Sequence, residues 1–139
     1  MRVVADTNVI VSMLLWGKSL ERLFVLVNRR KIVLGFSPST IDELFRVVGY
    51  PKIPKQADKM EKEIGVLLDK LLAASELVYP AEKLSLVPGD DSDNRILEIA
   101  IEARAEYIIS GDRHLLDLGS VKGIPIVKPS EFLLGEMGT

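Results

Sequence analysis

The sequence predicts an α/β fold, a three-layer α/β/α arrangement around a central, mostly parallel sheet. Short apolar runs typical of buried strands alternate with longer segments in which apolar residues recur at helical spacing. This alternation is typical of strands joined by helical crossovers, which form a parallel sheet with helices on both faces. Because the 139 residues contain no linker or internal repeat, we expect one domain over residues 1–139.

Composition narrows the class of site that the chain can build. Hydrophobic (47%) and charged (27%) fractions are those of an ordinary soluble domain. The absence of cysteine rules out thiolate metal sites, and a single histidine, His114, argues against a His-rich zinc site. Any metal would therefore be held by oxygen, which suits Mg²⁺ or Mn²⁺. The net charge of -2 argues against a broad non-specific nucleic-acid surface, although it allows an acidic pocket. We find no signal peptide and no membrane span, so we expect a cytoplasmic protein.

Patterns in the first half of the chain predict two strands and three helices. Strand-like residues precede Asp6, and a buried helix follows them. A stripe at i, i+3, i+4, i+7 predicts the next helix, with cations at its C-terminal end. A short apolar run is typical of a buried strand, and Ser-Pro is a good helix start. The predicted elements are strand 2–5, helix 9–15 broken at Gly17, a helix from about Leu20 ending in residues 29–31, strand 32–36, and a helix opening at residues 37–38 and stopped by residues 49–51.

The second half of the chain continues the alternation after one long helix. Apolar residues on one face and charged residues on the other predict that helix. Pro125 lacks an N–H, so we expect its strand at a sheet edge, and we expect Ser130 to cap the last helix. The predicted elements are helix 55–75, strand 76–79, a loop over 80–89, a helix opening at residues 90–93, strand 107–110, a helical turn at 113–118, strand 124–127 and a short final helix.

Four acidic residues fall where the carboxyl edge of this sheet is predicted. Asp6 and Asp112 directly follow apolar strands, and Glu43 and Asp93 lie near the starts of helices that would rise from the same edge. Each has an ordinary explanation alone, as a cap, a turn residue or a solvated side chain. Together, unpaired, they would repel and raise each other's pKa values. One or two divalent cations would relieve that repulsion, and a two-metal site serves in-line displacement at phosphorus.

These residues resemble, in order and spacing, the PIN domain, a family of metal-dependent nucleases. The likeness covers essentially the whole chain and is greatest to VapC-like toxin components of prokaryotic toxin–antitoxin pairs. It implies a doubly wound, Rossmann-like parallel sheet, Mg²⁺ or Mn²⁺, and an endoribonuclease that cleaves RNA phosphodiester bonds with a metal-activated water. It also implies a homodimer and a cognate antitoxin protein. The segments that carry the resemblance are Asp6-Thr7-Asn8, Glu43-Leu44, Asp93, Ser110-Gly111-Asp112 and residues 129–133.

The resemblance also implies roles for individual side chains. It makes four acids the catalytic, metal-binding residues, with two polar residues in support and one auxiliary ligand. Asp42 is the neighbour of the predicted helical acid, so the helical phase leaves that assignment open by one residue. The four acids are Asp6, Glu43, Asp93 and Asp112; the supporting residues are Asn8 and Ser110, and the auxiliary ligand is Asp91.

Other classes of function remain open on the sequence. A phosphotransfer domain also places an Asp after a buried strand, but the dehalogenase-like type expects a second Asp where this chain has Asn8, and a receiver expects an acidic pair and a late Lys. A non-catalytic RNA- or protein-binding module with a vestigial acidic site would not bind metal. An RNA-maturation or structure-specific nuclease would have the same chemistry as a toxin, and a neighbouring antitoxin reading frame would distinguish the two.

Overall fold

The computed structural model of the chain describes residues 1–15, 21–48 and 59–137. Within these ranges a six-stranded sheet lies between two layers of helices, which confirms the predicted three-layer α/β/α fold. Several predicted features lie outside the described residues: the break at Gly17, the helix start at Leu20, the stop at residues 49–51 and the helix start at residues 55–58.

The strands are parallel except for one short strand at an edge. They are β1 (Arg2–Ala5), β2 (Val33–Phe36), β3 (Glu76–Leu77), β4 (Tyr107–Ile109), β5 (Ser120–Val121) and β6 (Ile124–Val127). Their order in the sheet is β3-β2-β1-β4-β6-β5, with β5 antiparallel to β6. The chain therefore adds strands on one side of β1 first and then continues on the other side with β4. This change of direction creates a crevice at the carboxyl ends of β1 and β4.

The helices follow the predicted alternation. They are α1 (Thr7–Leu15), α2 (Glu21–Asn28), α3 (Pro38–Val48), α4 (Lys59–Ala73), α5 (Asp91–Ala103), α6 (Arg113–Leu118) and α7 (Pro129–Met137). The first helix begins two residues earlier than predicted, because the Asp6 side chain accepts a hydrogen bond from the Val9 N–H and so caps it (2.8 Å). Among the helices described, none combines the length and apolarity needed to cross a membrane.

Alternating side chains of the central strand divide the core between the two faces of the sheet. Val3 and Ala5 pack with α1, α2, α3, α4 and α7, whereas Val4 packs with α5 and α6. This is the period of two expected for a strand that is buried on both faces. Val3 and Val4 are fully buried in these two cores, so β1 is packed on both faces, and this packing positions the residue that follows it.

Three local predictions were wrong. The basic run after α2 lies outside the helix, which ends at Asn28, and Arg30 adopts a left-handed φ of 57° in the turn that follows. The strand with Pro125 is not an edge strand, because β5 pairs with its outer side and places Ser120 opposite the proline. The sheet tolerates this proline because the pairing of β6 with β4 begins only at the next residue, Ile126. Ser130 does not cap α7, since it lies within the helix.

Helix α5 lies close to the sheet, and a glycine makes this possible. A Cβ added to Gly35 in β2 would lie 3.3 Å from Ile99 Cγ2 and 3.6 Å from Val4 Cγ2. The missing side chain therefore leaves room for α5 against the strands, where Ile99 is fully buried. Close packing here determines how near the N-terminus of α5 comes to the end of β1.

A polar row on α5 also holds the connecting loop, residues 78–90, against the helix. Asn94, Glu98 and Glu102 follow one another at four-residue spacing, and each accepts a backbone N–H of the loop, at 2.9, 2.7 and 2.7 Å. The Asn94 amide also donates to the Val87 carbonyl (2.9 Å), and the Arg95 guanidinium lies 2.7 Å from Glu98. The loop lacks regular structure, so these side chains satisfy part of its backbone and fix the approach to Asp90.

Candidate metal centre

The crevice between β1 and β4 holds an open acidic pocket of about 220 Å³. Asp6 follows β1 and Asp112 lies just beyond β4, and the Asp6 N–H donates to the Ile109 carbonyl at 3.0 Å. The parallel pairing of Ala5 with Ile109 brings the two strand ends side by side. The pocket is lined by Asp6, Thr7, Asn8, Glu43, Asp90, Ser92, Asp93, Ile96 and Asp112.

Asp6 is a buried carboxylate held by several donors. Its side chain accepts hydrogen bonds from the Val9 N–H, the Ser110 hydroxyl and the Gly111 N–H. Burial raises the pKa of Asp6, and these hydrogen bonds lower it in part, while the charge of Asp112 raises it further. The orientation of Asp6 is therefore set by the chain itself. Ser110 is fully buried, and its hydroxyl also accepts the Asp112 N–H at 2.9 Å, so it links the Asp6 carboxylate to the backbone of Asp112.

Asp93 lies in the first turn of α5 in a different environment. It is 6% exposed, and no donor among the described residues reaches its Oδ2 atom, which is buried. Burial, followed by the negative charges of Asp112 and Asp90, raises the pKa of Asp93 from 3.8 to about 7. A buried carboxylate oxygen without a donor is costly, and such an atom calls for a specific explanation.

Asp90 and Asp112 each cap a helix at the pocket rim. The Asp90 carboxylate accepts the Asp93 N–H at 3.0 Å, and the Asp112 carboxylate accepts the His114 N–H at 2.7 Å. Both caps leave further lone pairs free for another ligand, because a carboxylate has about four acceptor positions. The His114 imidazole Nδ1 lies 3.7 Å from Asp112 Oδ1.

Helix α3 contributes one acid to the pocket from the opposite side. Glu43 lines the pocket and accepts a hydrogen bond from the Ser92 hydroxyl at 3.1 Å, whereas Asp42 is exposed and does not line it. The sequence left open whether Asp42 or Glu43 faces the crevice, and in the structure it is Glu43. The apolar stripe of α3 turns the other way, with Leu44 fully buried in the core.

The structure thus brings together most, but not all, of the residues singled out from the sequence. Asp6, Glu43, Asp93, Asp112 and Asn8 line the pocket, and Ser110 lies directly behind it. Asp91 is exposed and is not among the lining residues. Sequence reasoning did not select Asp90, Thr7 or Ser92. The run of acids in residues 90–93, where a helix was predicted to open, was the available signal for Asp90.

The donor set fits a divalent cation. One ligand atom from each of Asp90, Asp93, Asp112 and His114 lies within 4.8 Å of all the others. Carboxylate oxygens are the ligands that Mg²⁺ and Mn²⁺ take in proteins. A cation here would give Asp93 Oδ2 the partner that the described residues do not supply, and it would offset the repulsion that raises the pKa of Asp93.

Comparison with known proteins assigns the chain to a family. Residues 2–114 match the PIN domain, and the chain belongs to this family. PIN domains are in general nucleases that use divalent metals, and the acidic pocket lies in the matched region. Comparison with curated protein sequences gives no match.

Two solved structures share the fold. A chain of the crystal structure of VapBC2 from Rickettsia felis bound to a DNA fragment from their promoter is 18% identical, with a TM-score of 0.60, over 91% of this chain and 97% of that one. PAE2754 from Pyrobaculum aerophilum is 13% identical, with a TM-score of 0.67, over 100% of this chain and 91% of that one. At these identities the likeness extends to the fold alone.

Proposed function

We propose that this protein is a Mg²⁺- or Mn²⁺-dependent endoribonuclease and the toxin of a toxin–antitoxin pair. The observation that carries the proposal is Asp93. Its carboxylate is buried beside Asp90 and Asp112, one of its oxygens has no donor within the described ranges, and its pKa is raised to about 7. A fold that only needed stability would not keep such a group, since an uncharged side chain would cost less.

In this proposal some acids of the pocket bind the cation, and others lie around it in fixed positions. Asp93, Asp90 and Asp112 hold the cation, with Glu43 on the opposite wall and Asp6 held in place by Ser110. When bound, a divalent cation lowers the pKa of water and neutralises charge on phosphodiester oxygens. The open side of the pocket lets a phosphodiester enter, and Asn8, which is exposed at the rim, can donate a hydrogen bond to it.

The class of substrate and the partners are part of the same proposal. The family match supports a nuclease, and the VapBC2 complex, which has the same fold, supports an antitoxin partner. An RNA substrate would place the activity in the cytoplasm. Large apolar side chains on the surface offer contact area for an antitoxin or for a homodimer. The more exposed of these are Leu134, Tyr79, Val66 and Val47.

Cleavage of a mixed panel of labelled single-stranded RNA and DNA tests the activity. We expect cutting of RNA in Mn²⁺ or Mg²⁺ and none in EDTA. Because changing a residue that merely supports a metal ligand costs 10–100-fold, Asp93→Asn should lower the rate by roughly 100-fold or more. Asp42→Asn is the matched control, because it makes the same chemical change at an exposed position next to Glu43 and should leave the rate unchanged.

Two results would contradict the proposal. Cleavage by Asp93→Asn at the parental rate would remove Asp93 from the site, and the absence of both Mn²⁺ binding and cleavage of any nucleic acid would favour a binding module with a vestigial site. The toxin role has its own test. Expression of the wild type should stop bacterial growth, Asp93→Asn should not, and co-expression of the protein encoded by an adjacent short reading frame should restore growth.

A further inference from the structure

A histidine, whose ring nitrogens could act as metal ligands, lies at the rim of the acidic pocket. His114 is the single histidine of the chain, and its side chain is 71% exposed in the first turn of α6. Its ring lies over the residue that caps the same helix, with Nδ1 3.7 Å from Asp112 Oδ1. A side-chain contact of this length at an exposed position contributes little to stability, so the fold has no strong structural need for an imidazole here.

The distances suit coordination of one ion by both kinds of donor. Ligands of Mg²⁺ or of a first-row divalent ion lie about 2.1 Å from it, so two ligands on opposite sides are about 4.2 Å apart. The ligand atoms of His114, Asp90, Asp93 and Asp112 lie within 4.8 Å of one another. Movements of less than about 1 Å by the exposed imidazole and the carboxylates would bring all four to coordination distance.

A second observation, independent of the acidic cluster as such, indicates a ligand at this position. Only 6% of the Asp93 surface is exposed, and its Oδ2 atom has no hydrogen-bond partner among the residues described. Asp93 belongs to the same group of four donors as His114. An ion bound by the Asp93 carboxylate would therefore lie within reach of the imidazole.

We infer that His114 is a nitrogen ligand of this site and shifts its preference from Mg²⁺ toward Mn²⁺. The inference rests on the proposed metal-dependent function and adds the source of its selectivity. Mg²⁺ takes oxygen ligands almost exclusively, whereas affinity for first-row transition ions rises when imidazole joins the ligand set. Removal of His114 should therefore weaken Mn²⁺ binding and leave Mg²⁺ binding nearly unchanged.

Pulsed electron paramagnetic resonance of the Mn²⁺-loaded protein reads the ligand directly, without any assay of activity. In protein without a polyhistidine tag, ¹⁴N modulation typical of imidazole can come only from His114, the single histidine. We expect this signal in the wild type and its loss in His114→Ala. By calorimetry, His114→Ala should bind Mn²⁺ about tenfold more weakly or worse, with Mg²⁺ affinity changed by less than about threefold.

Two further variants keep the test specific. His114→Asp replaces the nitrogen by a carboxylate, so it should restore cation binding but lose the preference for Mn²⁺. Asp117→Asn changes an exposed residue of α6 that does not line the pocket, and it should keep both the signal and the affinity. Mn²⁺ bound to the wild type without imidazole ¹⁴N modulation would overturn the inference and leave the proposed nuclease standing. No binding of Mn²⁺ to the wild type would overturn both.

Discussion

Replacing Asp93 with Asn is expected to stabilise the metal-free protein while it abolishes the proposed activity. In the folded chain the pKa of Asp93 is raised from 3.8 to about 7, first by burial and then by Asp112 and Asp90. Ionised Asp93 therefore opposes folding at neutral pH and above. Asn has nearly the same shape, carries no charge, and offers an N–H donor to two neighbours that are only acceptors.

The size of the stability gain follows from the linkage between protonation of Asp93 and folding. Each pKa unit corresponds to about 1.4 kcal/mol, so the full shift is worth roughly 4 kcal/mol above pH 7. Water and salt around the open pocket screen part of the repulsion, and we expect a net gain of about 1–2 kcal/mol in the free energy of unfolding. For a domain of this size, this corresponds to a rise in Tm of roughly 3–8 °C.

The upward direction of the Asp93 pKa shift also determines how the free energy of unfolding depends on pH. Between pH 3.8 and about 7 the folded state binds more protons at Asp93 than the unfolded state does, so the stability of the wild type falls as pH rises through this window. The advantage of Asp93→Asn should therefore be largest near pH 8 and shrink to a few tenths of a kcal/mol near pH 4.

Thermal unfolding in EDTA at pH 8 and pH 4 measures both effects. Asp91→Asn is the matched control, because it makes the same change in the same helical turn at an exposed position and should alter stability by less than about 0.5 kcal/mol. If Asp93→Asn melted at or below the wild-type temperature at pH 8, or kept its full advantage at pH 4, the electrostatic description of the pocket would be wrong.

Further predictions concern the supports of α5 and the response to metal. Glu98→Gln loses the charge that Arg95 and the Leu84 N–H share, so it should lower the free energy of unfolding in urea by about 1–3 kcal/mol, whereas Glu102→Gln at an exposed position should cost less than about 0.5 kcal/mol. Equal losses of unfolding free energy in the two variants would contradict the idea that the burial of Glu98 makes its contacts the stronger ones. Gly35→Ala places a Cβ 3.3 Å from an Ile99 methyl, and overpacking should cost about 1–3 kcal/mol by the same measurement; an unchanged midpoint would mean that α5 can move away freely. Mn²⁺ should raise the Tm of the wild type but not that of Asp93→Asn, and an equal rise in both would place the ion elsewhere.

Sequence patterns anticipated the layers of the fold and the edge at which the acids meet, because both depend on local periodicity. Apolar runs identify β1 and β4, and a parallel sheet brings Asp6 and Asp112 to one edge whatever the details of the loops. The edge strand Ser120–Val121 was missed because two residues carry no periodic signal. Its absence led to the wrong position for Pro125.

Long-range polar contacts could not be predicted in the same way. Glu98 has the appearance of a solvated helical residue in the sequence, and only the course of the connecting loop buries it against Arg95. Asp90 stands in the sequence only at the start of a predicted helix, and its place in the pocket depends on how close α5 approaches β1. Proximity across the fold, and not residue type, decides these roles.

Substitutions of Asp6 and Asp93, the two most buried acids of the pocket, are expected to have opposite effects on stability. Asp6 is held by donors from three residues, so Asp6→Asn places an amide N–H where the carboxylate accepts hydrogen bonds, and it is expected to lose stability as well as activity. Inactivity of that variant could then follow from misfolding. Asp93 Oδ2 has no such donor among the described residues, and Asp93→Asn is expected to gain stability. An inactive variant that is more stable than the wild type cannot be inactive because it unfolds. Asp93 is therefore the position at which loss of cleavage would assign the chemistry to the pocket.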